Sequence, residues 1–196
     1  DESVHSMLPI WSHYANENWC MIGYHATSVI ADAMAKNVGD FDHERALQAS
    51  VNTANVRYFD GLGDYIDNHY VPDEKSGASV SITLEFAYND WCIAQMAKDV
   101  NNASTEKEFL LRSEYYNNVY DPKIGYMRPK LADGTFRENF DPMDTHGQGF
   151  IEGNAWNYGL YVPQNIDKMV DMMGGKERFT QHLDSLFTMD IDEKYI

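Results

Sequence analysis

The feature that most constrains the fold of this chain is a long segment, from about Ser79 to Asn101, in which apolar residues recur at helical spacing. A period of three to four residues is typical of a helix that packs against a core. Similar patterns predict a helix at 14–36 and another at 42–57, where Asp42 can act as the N-cap. Five more helices are predicted at 63–68, from Ser104 to about Asn118, 152–161, 164–173 and 176–186.

The types of residue in the sequence change after Asn118. Residues 120–136 contain proline, glycine and the pair Asp133-Gly134, which favours the tip of a β-hairpin. Loops pair the predicted helices into antiparallel hairpins. No repeat or linker divides the 196 residues, so the sequence predicts one all-α domain over 1–196, with a short β-hairpin insertion near 120–137.

The balance of charges limits the partners of this chain. Fifteen lysines and arginines stand against 31 aspartates and glutamates, a formal net charge of −16. Nucleic acid and anionic membrane bind positive charge, so both are poor partners. Neutral polar ligands, metal cations and cationic substrates fit better, although the surface acids could equally serve only solubility. No run of about 18 apolar residues occurs, so no membrane span is predicted.

The two cysteines and the start of the chain each support one expectation. Cys20 and Cys92 both follow a tryptophan in an apolar pattern, which favours two buried free thiols over a disulfide, and neither has metal-type spacing. The chain begins at Asp1 and shows no signal peptide. We therefore expect a piece of a longer polypeptide, whose remainder would be one of its partners.

Three stretches concentrate polar and aromatic residues at or near predicted helix starts: 12–25, 79–91 and 150–158. In a ring of helical hairpins the helix starts at one end share a face, so a cleft there could collect all three. Asn, Asp and His side chains bind sugar hydroxyls, and tryptophan or tyrosine rings can stack on a sugar. A glutamate there could be a glycosidase's general acid, and inverting enzymes place a second carboxylate about 6.5–9.5 Å away.

Spacing alone leaves structural interpretations open. It does not distinguish a catalytic Glu152 from a structural one. Glu85 could belong only to a helix start, and Asp90 with Trp91 could form a mixed helix surface. A histidine such as His25 is more often a core residue with satisfied hydrogen bonds than a ligand.

Three segments resemble hallmark stretches of glycoside hydrolase family 92. Shorter pieces, Tyr70-Val-Pro72 and Gly125-Tyr-Met-Arg-Pro129, fit as well, so the similarity covers nearly the whole chain. The segments are Leu8-Pro-Ile-Trp-Ser-His-Tyr-Ala-Asn-Glu-Asn-Trp-Cys-Met-Ile-Gly-Tyr-His25, Ser79-Val-Ser-Ile-Thr-Leu-Glu-Phe-Ala-Tyr-Asn-Asp-Trp91 and Gly149-Phe-Ile-Glu-Gly-Asn-Ala-Trp-Asn-Tyr158.

The resemblance implies a calcium-dependent exo-α-mannosidase that acts with inversion on mannose-containing glycans, such as high-mannose N-glycans and yeast mannan. Family members have an N-terminal β-sandwich and a C-terminal (α/α)6 toroid. This chain would be the middle of the toroid, without the sandwich. Many members come from gut Bacteroidetes, so a secreted, periplasmic or cell-surface bacterial protein is implied, with α-1,2-linked mannose as the expected substrate.

The resemblance also assigns roles to residues. Glu152, in the Glu-Gly-Asn-Ala-Trp-Asn-Tyr motif, is the expected general acid. The family's general base lies in a Gly-Asn-Asp/Glu-Asp-type motif, and a His-Gly-Asn-Glu-Pro motif contributes to its sugar and metal site. Neither occurs in this chain, so the base and most Ca²⁺ ligands are expected outside it, and the 196 residues alone are expected to be inactive. The residues expected to line the sugar-binding cleft are Trp91, Asp90, Glu85, His25, Asn154, Trp156 and Asn157.

Two other classes of function remain possible at this point. One is a non-catalytic, glycan-binding helical domain, which the flanking sequence would distinguish, because a downstream aspartate motif favours the enzyme. The other is a toroid polysaccharide lyase, which needs a Tyr/His or Arg pair near an acidic sugar. A chain of net charge −16 is poorly suited to such a substrate.

Overall fold

The computed structural model describes residues 6–14 and 16–195, and the regular secondary structure in them is helical apart from two small two-stranded sheets and an isolated bridge. The predicted all-α class with a small β insertion is confirmed. No helix in these ranges is long and apolar enough to cross a bilayer. The seven α-helices of the described residues are α1 (Ala26–Ala35), α2 (His43–Thr53), α3 (Leu62–Asn68), α4 (Ser79–Asp99), α5 (Ala103–Arg112), α6 (Ile166–Met172) and α7 (Lys176–Thr188).

Helix α4 is the centre of the fold. Sixteen of its 21 residues are buried, so it is enclosed on nearly every side rather than along a single stripe. It packs against α1, α2 and α5. The ring of Phe86 lies 5.2 Å from that of Tyr24 and 5.3 Å from that of Tyr65, measured between centroids. These aromatic contacts anchor the segment before α1, and also α3, to the central helix.

The capping residues explain where two of the helices begin. The Asp42 side chain accepts a hydrogen bond from the Arg45 amide at 3.0 Å, which confirms the predicted N-cap of α2. Helix α5 begins slightly earlier than predicted, because the Asn102 side chain accepts from the amide of Thr105. It also ends at Arg112, and a separate 3-10 helix, Tyr115–Val119, follows.

The prediction of a helix from Tyr14 is wrong, because α1 begins only at Ala26. The preceding residues contain an antiparallel pair, β1 (Ser12–His13) and β2 (Asn16–Glu17), in which Ser12 lies opposite Glu17. The Glu17 carboxylate holds this region in a non-helical form, because it accepts four backbone N–H groups at 2.7–3.0 Å. The donors are Ile10, Trp11, Asn18 and Trp19.

The predicted β insertion is two consecutive turns rather than one hairpin. Strands β3 (Tyr120–Asp121) and β4 (Tyr126–Met127) pair antiparallel, with Tyr120 opposite Met127. A second turn is closed by a bridge between Lys130 and Phe136. Gly134 lies at its tip, as predicted, with a left-handed φ of 88°.

The region after the insertion corrects two further predictions. Residues 152–161 do not form an α-helix and contain only the 3-10 helix Tyr158–Leu160. Cys92 is buried and Cys20 is exposed, both as free thiols. The prediction of two buried thiols is therefore wrong for Cys20, because it lies in the non-helical segment before α1.

Candidate active site

An open cavity of about 490 Å³ lies where the start of α4 meets the segment 149–161. Two carboxylates, Glu85 and Glu152, both contribute to its wall. The remaining lining residues are Asn157, Tyr158, Leu160 and Tyr161. The cavity therefore combines acidic groups with aromatic rings.

The position of Glu152 is fixed by the joint between its segment and α4. The carbonyl oxygen of Gly149 accepts hydrogen bonds from the amides of Val80 and Ser81, at 2.9 and 3.1 Å. Helix α4 has no side-chain cap, so this carbonyl satisfies amides that the first turn leaves without helical partners. In return, the Ser81 hydroxyl accepts from the amide of Ile151 at 3.2 Å. The residue next to Glu152 is thus bonded to the central helix.

Glu152 itself is exposed and has a left-handed φ of 51°, which is uncommon for a residue with a side chain. The turn that follows is stabilised by two asparagines. The side-chain oxygen of Asn154 accepts from the amides of Trp156 and Asn157, and that of Asn157 accepts from the amides of Asn154 and Tyr158. Because these side chains bind amides that a helix would use, the segment is a compact turn that presents Glu152 at the cavity.

Glu85 reaches the same cavity from α4, with a side chain that is only 9% exposed. Its Oε1 accepts a hydrogen bond from the Tyr158 hydroxyl. Its Oε2 lies 2.9 Å from Nε2 of His25. Oε2 makes no hydrogen bond of good geometry with the described residues, so its contact with His25 is one of ion-pair distance.

The tautomer of His25 follows from its neighbours. The side-chain oxygen of Asn89 accepts from the amide of Tyr24 at 2.8 Å, so the nitrogen of the Asn89 amide is the group that faces His25. That nitrogen is 3.0 Å from Nδ1 of His25 and can only donate. In the neutral ring, Nδ1 is therefore the acceptor and Nε2 carries the proton that faces Glu85.

The two tyrosines beside Glu85 hold their hydroxyl protons tightly. Burial, together with the hydrogen bond to Glu85, raises the pKa of the Tyr158 hydroxyl well above its ordinary value. Burial and the negative charge of Glu85 raise the pKa of Tyr161 in the same way. Both hydroxyls therefore keep their protons at neutral pH.

Asp90 does not line the cavity, although the sequence placed it in the cleft. It is fully buried on another side of α4, and its oxygens accept hydrogen bonds from Tyr24, Tyr65 and Arg112. A rotation of 100° per residue separates positions 85 and 90 by about 140° around the helix. The aspartate that follows Asn89 is therefore part of the core.

The two tryptophans predicted for the cleft also lie outside its wall. The ring of Trp156 stacks on His182, with centroids 4.4 Å apart and planes 9° apart. The ring of Trp91 stacks on Tyr88 at 6.3 Å. Tyr88 in turn contacts Tyr161, so Trp91 is connected to the cavity only through two other rings. Asn154 is used within the turn, whereas His25 reaches the site through Glu85.

The structure adds Tyr158, Leu160 and Tyr161 to the site. Tyr158 stands at the end of the motif Gly149–Tyr158, so its position was marked in the sequence without a role. Leu160 and Tyr161 lie beyond the motif, and no spacing in the sequence pointed to them.

The described residues alone do not make a metal site. No three His, Cys, Asp or Glu side chains in these ranges come together as a possible metal-binding group. Ca²⁺ takes six to eight oxygen ligands. Glu85 and Glu152 supply hard oxygens on one cavity, but one oxygen of Glu85 already accepts from Tyr158. These residues therefore do not fit a calcium site by themselves.

A helical scaffold brings two carboxylates and two tyrosine rings to one open cavity, and these residue types suit the binding of a sugar. The chain belongs to glycosyl hydrolase family 92, because the model of that family's catalytic domain matches residues 1–195.

Solved structures agree with this assignment. The chain is 44% identical to a family GH92 α-mannosidase from Bacteroides thetaiotaomicron, with a TM-score of 0.91 over 97% of this chain and 25% of that one. The same mannosidase in complex with mannoimidazole matches with a TM-score of 0.93 and 42% identity, over 98% of this chain and 26% of that one. An inverting GH92 mannosidase from the same species is 29% identical, with a TM-score of 0.87 over 99% of this chain and 27% of that one.

An uncharacterized secreted glycosidase of Arthroderma benhamiae is 25% identical over 207 residues, covering 86% of this chain and 27% of that relative. The chain thus spans about a quarter of the length of the proteins it matches. These structural neighbours are (α/α)6 toroid proteins, so the helical hairpins are part of such a toroid, as predicted.

Proposed function

We propose that this chain is part of the catalytic domain of a secreted exo-α-mannosidase in which Glu152 is the general acid. The observation that carries the proposal is the cavity that Glu152 shares with Glu85 and two tyrosines, in a chain of family 92. The intact enzyme would remove terminal α-linked mannose from glycans with inversion, and α-1,2 linkages would be its preferred substrates.

The names of similar proteins support the substrate and the stereochemistry. Two of the similar structures are of one α-mannosidase, and one of these contains mannoimidazole. A third similar structure is of an inverting mannosidase. The similar fungal protein is described as secreted, which supports the proposed location outside the cytoplasm. A bacterial periplasmic or cell-surface location is part of the proposal.

Hydrolysis with inversion needs one carboxyl group as the acid and another as the base. Glu152 is exposed at the cavity, where it can protonate the leaving oxygen of a glycosidic bond. Inversion needs a second carboxylate that activates water on the opposite face of the sugar. Glu85 does not suit that role, because it is buried and accepts from Tyr158. We therefore place the base outside these 196 residues and expect no turnover from them alone.

The lining of the cavity suits a neutral sugar. The rings of Tyr158 and Tyr161 offer surfaces on which a sugar can stack, and Asn157 adds an amide group at the rim. The net charge of −16 disfavours nucleic acid and acidic sugars as partners.

Calcium dependence is a further part of the proposal and rests on the family resemblance. Bound Ca²⁺ would be a hard cation that coordinates two hydroxyl groups of the sugar. Because the described residues do not form its site, most ligands would come from the rest of the polypeptide. Removal of Ca²⁺ with a chelator should abolish mannosidase activity of the intact protein, and readdition should restore it; activity that survives chelation would contradict calcium dependence.

Glu152→Gln in the intact protein tests the acid role. Hydrolysis of mannosides with poor leaving groups should fall by roughly 10²–10⁴-fold, the usual contribution of a general acid. Mannosides with activated aryl leaving groups need little protonation and should lose far less. The measurement is kcat/KM on both substrates.

Glu138→Gln is the matched control for this test. Glu138 is an exposed glutamate that does not line the cavity. The same substitution there should leave both substrates unaffected. An equal loss on both substrates in Glu152→Gln would argue against an acid role for that residue.

A further inference from the structure

Helix α4 carries two buried carboxylates in very different surroundings. Asp90 is paired with the cation of Arg112, with Nε 3.0 Å from Oδ2, and accepts hydrogen bonds from two tyrosine hydroxyls. Glu85 has only the His25 imidazole within ion-pair distance among the described residues, with no lysine or arginine, and its Oε2 makes no hydrogen bond of good geometry there. Burial of a carboxylate without a permanently charged partner is costly. A role in the core alone gives no reason for a glutamate there.

The contacts of Glu85 join the three polar stretches that stood out in the sequence. Glu85 belongs to α4, Tyr158 belongs to the segment of Glu152, and His25 precedes α1. Each partner is held in turn by other groups. Asn89, one turn further along α4, faces Nδ1 of His25, and the Tyr158 amide donates to the carbonyl of Asn154 at 2.9 Å. The carboxylate thus lies at the junction of three chain segments.

We propose that Glu85 is a positioning residue, whose carboxylate connects Tyr158 to His25 and thereby fixes the Glu152 turn against α4. This inference rests on the proposed function, since it names how the acid is placed. Tyr158 follows Glu152 by six residues, and the turn between them is closed by Asn154 and Asn157. Because of this closed turn, holding Tyr158 in place also restrains the backbone of Glu152.

The other end of the turn has its own anchor, at Gly149 and Ile151. Two anchors on α4, one on each side of Glu152, hold a residue whose left-handed φ is strained. Loss of the Glu85 anchor leaves the anchor at Gly149 and Ile151 as the remaining one on α4, although Asn154 still donates to the carbonyl of Met143. Small displacements of a catalytic group are costly, since about 1 Å can reduce the rate by about 10²-fold.

The test compares Glu85→Gln and Tyr158→Phe in the intact enzyme. Both variants keep the size of the side chain and remove the charge or the hydroxyl of the anchor. If Glu85 acts through Glu152, kcat on poor leaving groups should fall by about 10–100-fold, and activated aryl mannosides should be affected less than about 3-fold. KM should change little. The double variant should lose no more activity than the more severely affected single variant, because the two residues act as one unit.

Asp90→Asn is the matched control, because it alters a buried carboxylate of the same helix that does not line the cavity. It should lower the melting temperature without changing the ratio between the two substrates. Equal losses on both substrates in Glu85→Gln, or a rise in KM alone, would mean that Glu85 contacts the sugar directly and would overturn the positioning role. Unchanged kinetics would also overturn it.

A second readout separates this inference from the proposed function. Amide hydrogen exchange at Asn157 and Tyr158 should be faster in Glu85→Gln and unchanged in Asp90→Asn, whatever the reaction. If Glu152→Gln shows no dependence on the leaving group, the acid assignment fails, yet faster exchange in Glu85→Gln still supports the anchor. Unchanged exchange in Glu85→Gln rejects the anchor even if Glu152 is the acid.

Discussion

Asp90 and Arg112 form a buried ion pair between α4 and α5, with Arg112 Nε 3.0 Å from Asp90 Oδ2 and both side chains almost free of solvent contact. Arg112 also donates to the carbonyl of Ala54 at 2.9 Å, at the end of α2. The hydroxyls of Tyr24 and Tyr65 complete the shell around the carboxylate. One buried network therefore joins α2, α3, α4, α5 and the segment before α1.

Arg112→Met should destabilise the protein strongly, because it leaves the Asp90 carboxylate buried without its cation. The expected loss in the free energy of unfolding is about 3–5 kcal/mol. Urea unfolding measures it. The exposed pair of Lys36 and Asp32 is the control, and Lys36→Met should change stability by no more than about 0.5 kcal/mol. Similar small effects of both substitutions would show that the buried pair contributes little.

Gly149→Ala should disrupt the joint between α4 and the Glu152 segment. Gly149 has a φ of +85°, and a Cβ there would lie 2.6 Å from Pro129 Cγ and 2.8 Å from Val80 Cγ2. Backbone strain of about 1–2 kcal/mol therefore adds to overpacking of about 1–3 kcal/mol. The melting temperature and the activity should both fall.

Gly125→Ala separates the two contributions to that effect. Gly125 has a similar φ of +77°, but a Cβ at this position would have no heavy atom within 4 Å beyond its chain neighbours, so only backbone strain applies. Its melting temperature should fall less than that of Gly149→Ala. Equal effects would mean that the close approach to Val80 and Pro129 relaxes without cost.

Glu17→Gln should loosen the non-helical segment before α1 in a pH-dependent way. Partial burial alone would raise the pKa of Glu17, but the four backbone N–H donors outweigh it and lower the pKa below its ordinary value. A lowered folded-state pKa stabilises the segment above the pKa of the unfolded chain, about 4.3, and this stabilisation is lost as pH falls through the folded-state value.

Hydrogen exchange measures the effect of Glu17→Gln directly. The amides of Ile10, Trp11 and Trp19 should exchange faster in the variant at pH 7, after correction for intrinsic rates. The difference from the parent protein should shrink below about pH 4, where the carboxyl of the parent becomes protonated. A difference that stays constant down to acid pH would contradict the role of the Glu17 charge.

The spacing of apolar residues was sufficient to predict most helices, because residues three and four positions apart lie on the same face of a helix. It predicted α2 with its Asp42 cap, the long helix α4 and the tip of the turn at Gly134. It failed at 14–25 and at 152–161. There, side chains of Glu17, Asn154 and Asn157 bind backbone amides that a helix would otherwise use.

The sequence by itself determined the family, the all-α class and two of the carboxylates at the cavity, because long motifs and local patterns carry that information. Only the tertiary structure showed that Glu85 faces the cavity whereas Asp90 lies in the core beside Arg112. Helix α4 is buried on nearly every side, so its pattern does not mark which face meets the cavity and which meets Arg112. Which face of α4 meets the cavity depends on how α5 and the segment of Tyr158 pack against the helix. These contacts join residues that are distant in the sequence, so the spacing of residues within α4 does not reveal them.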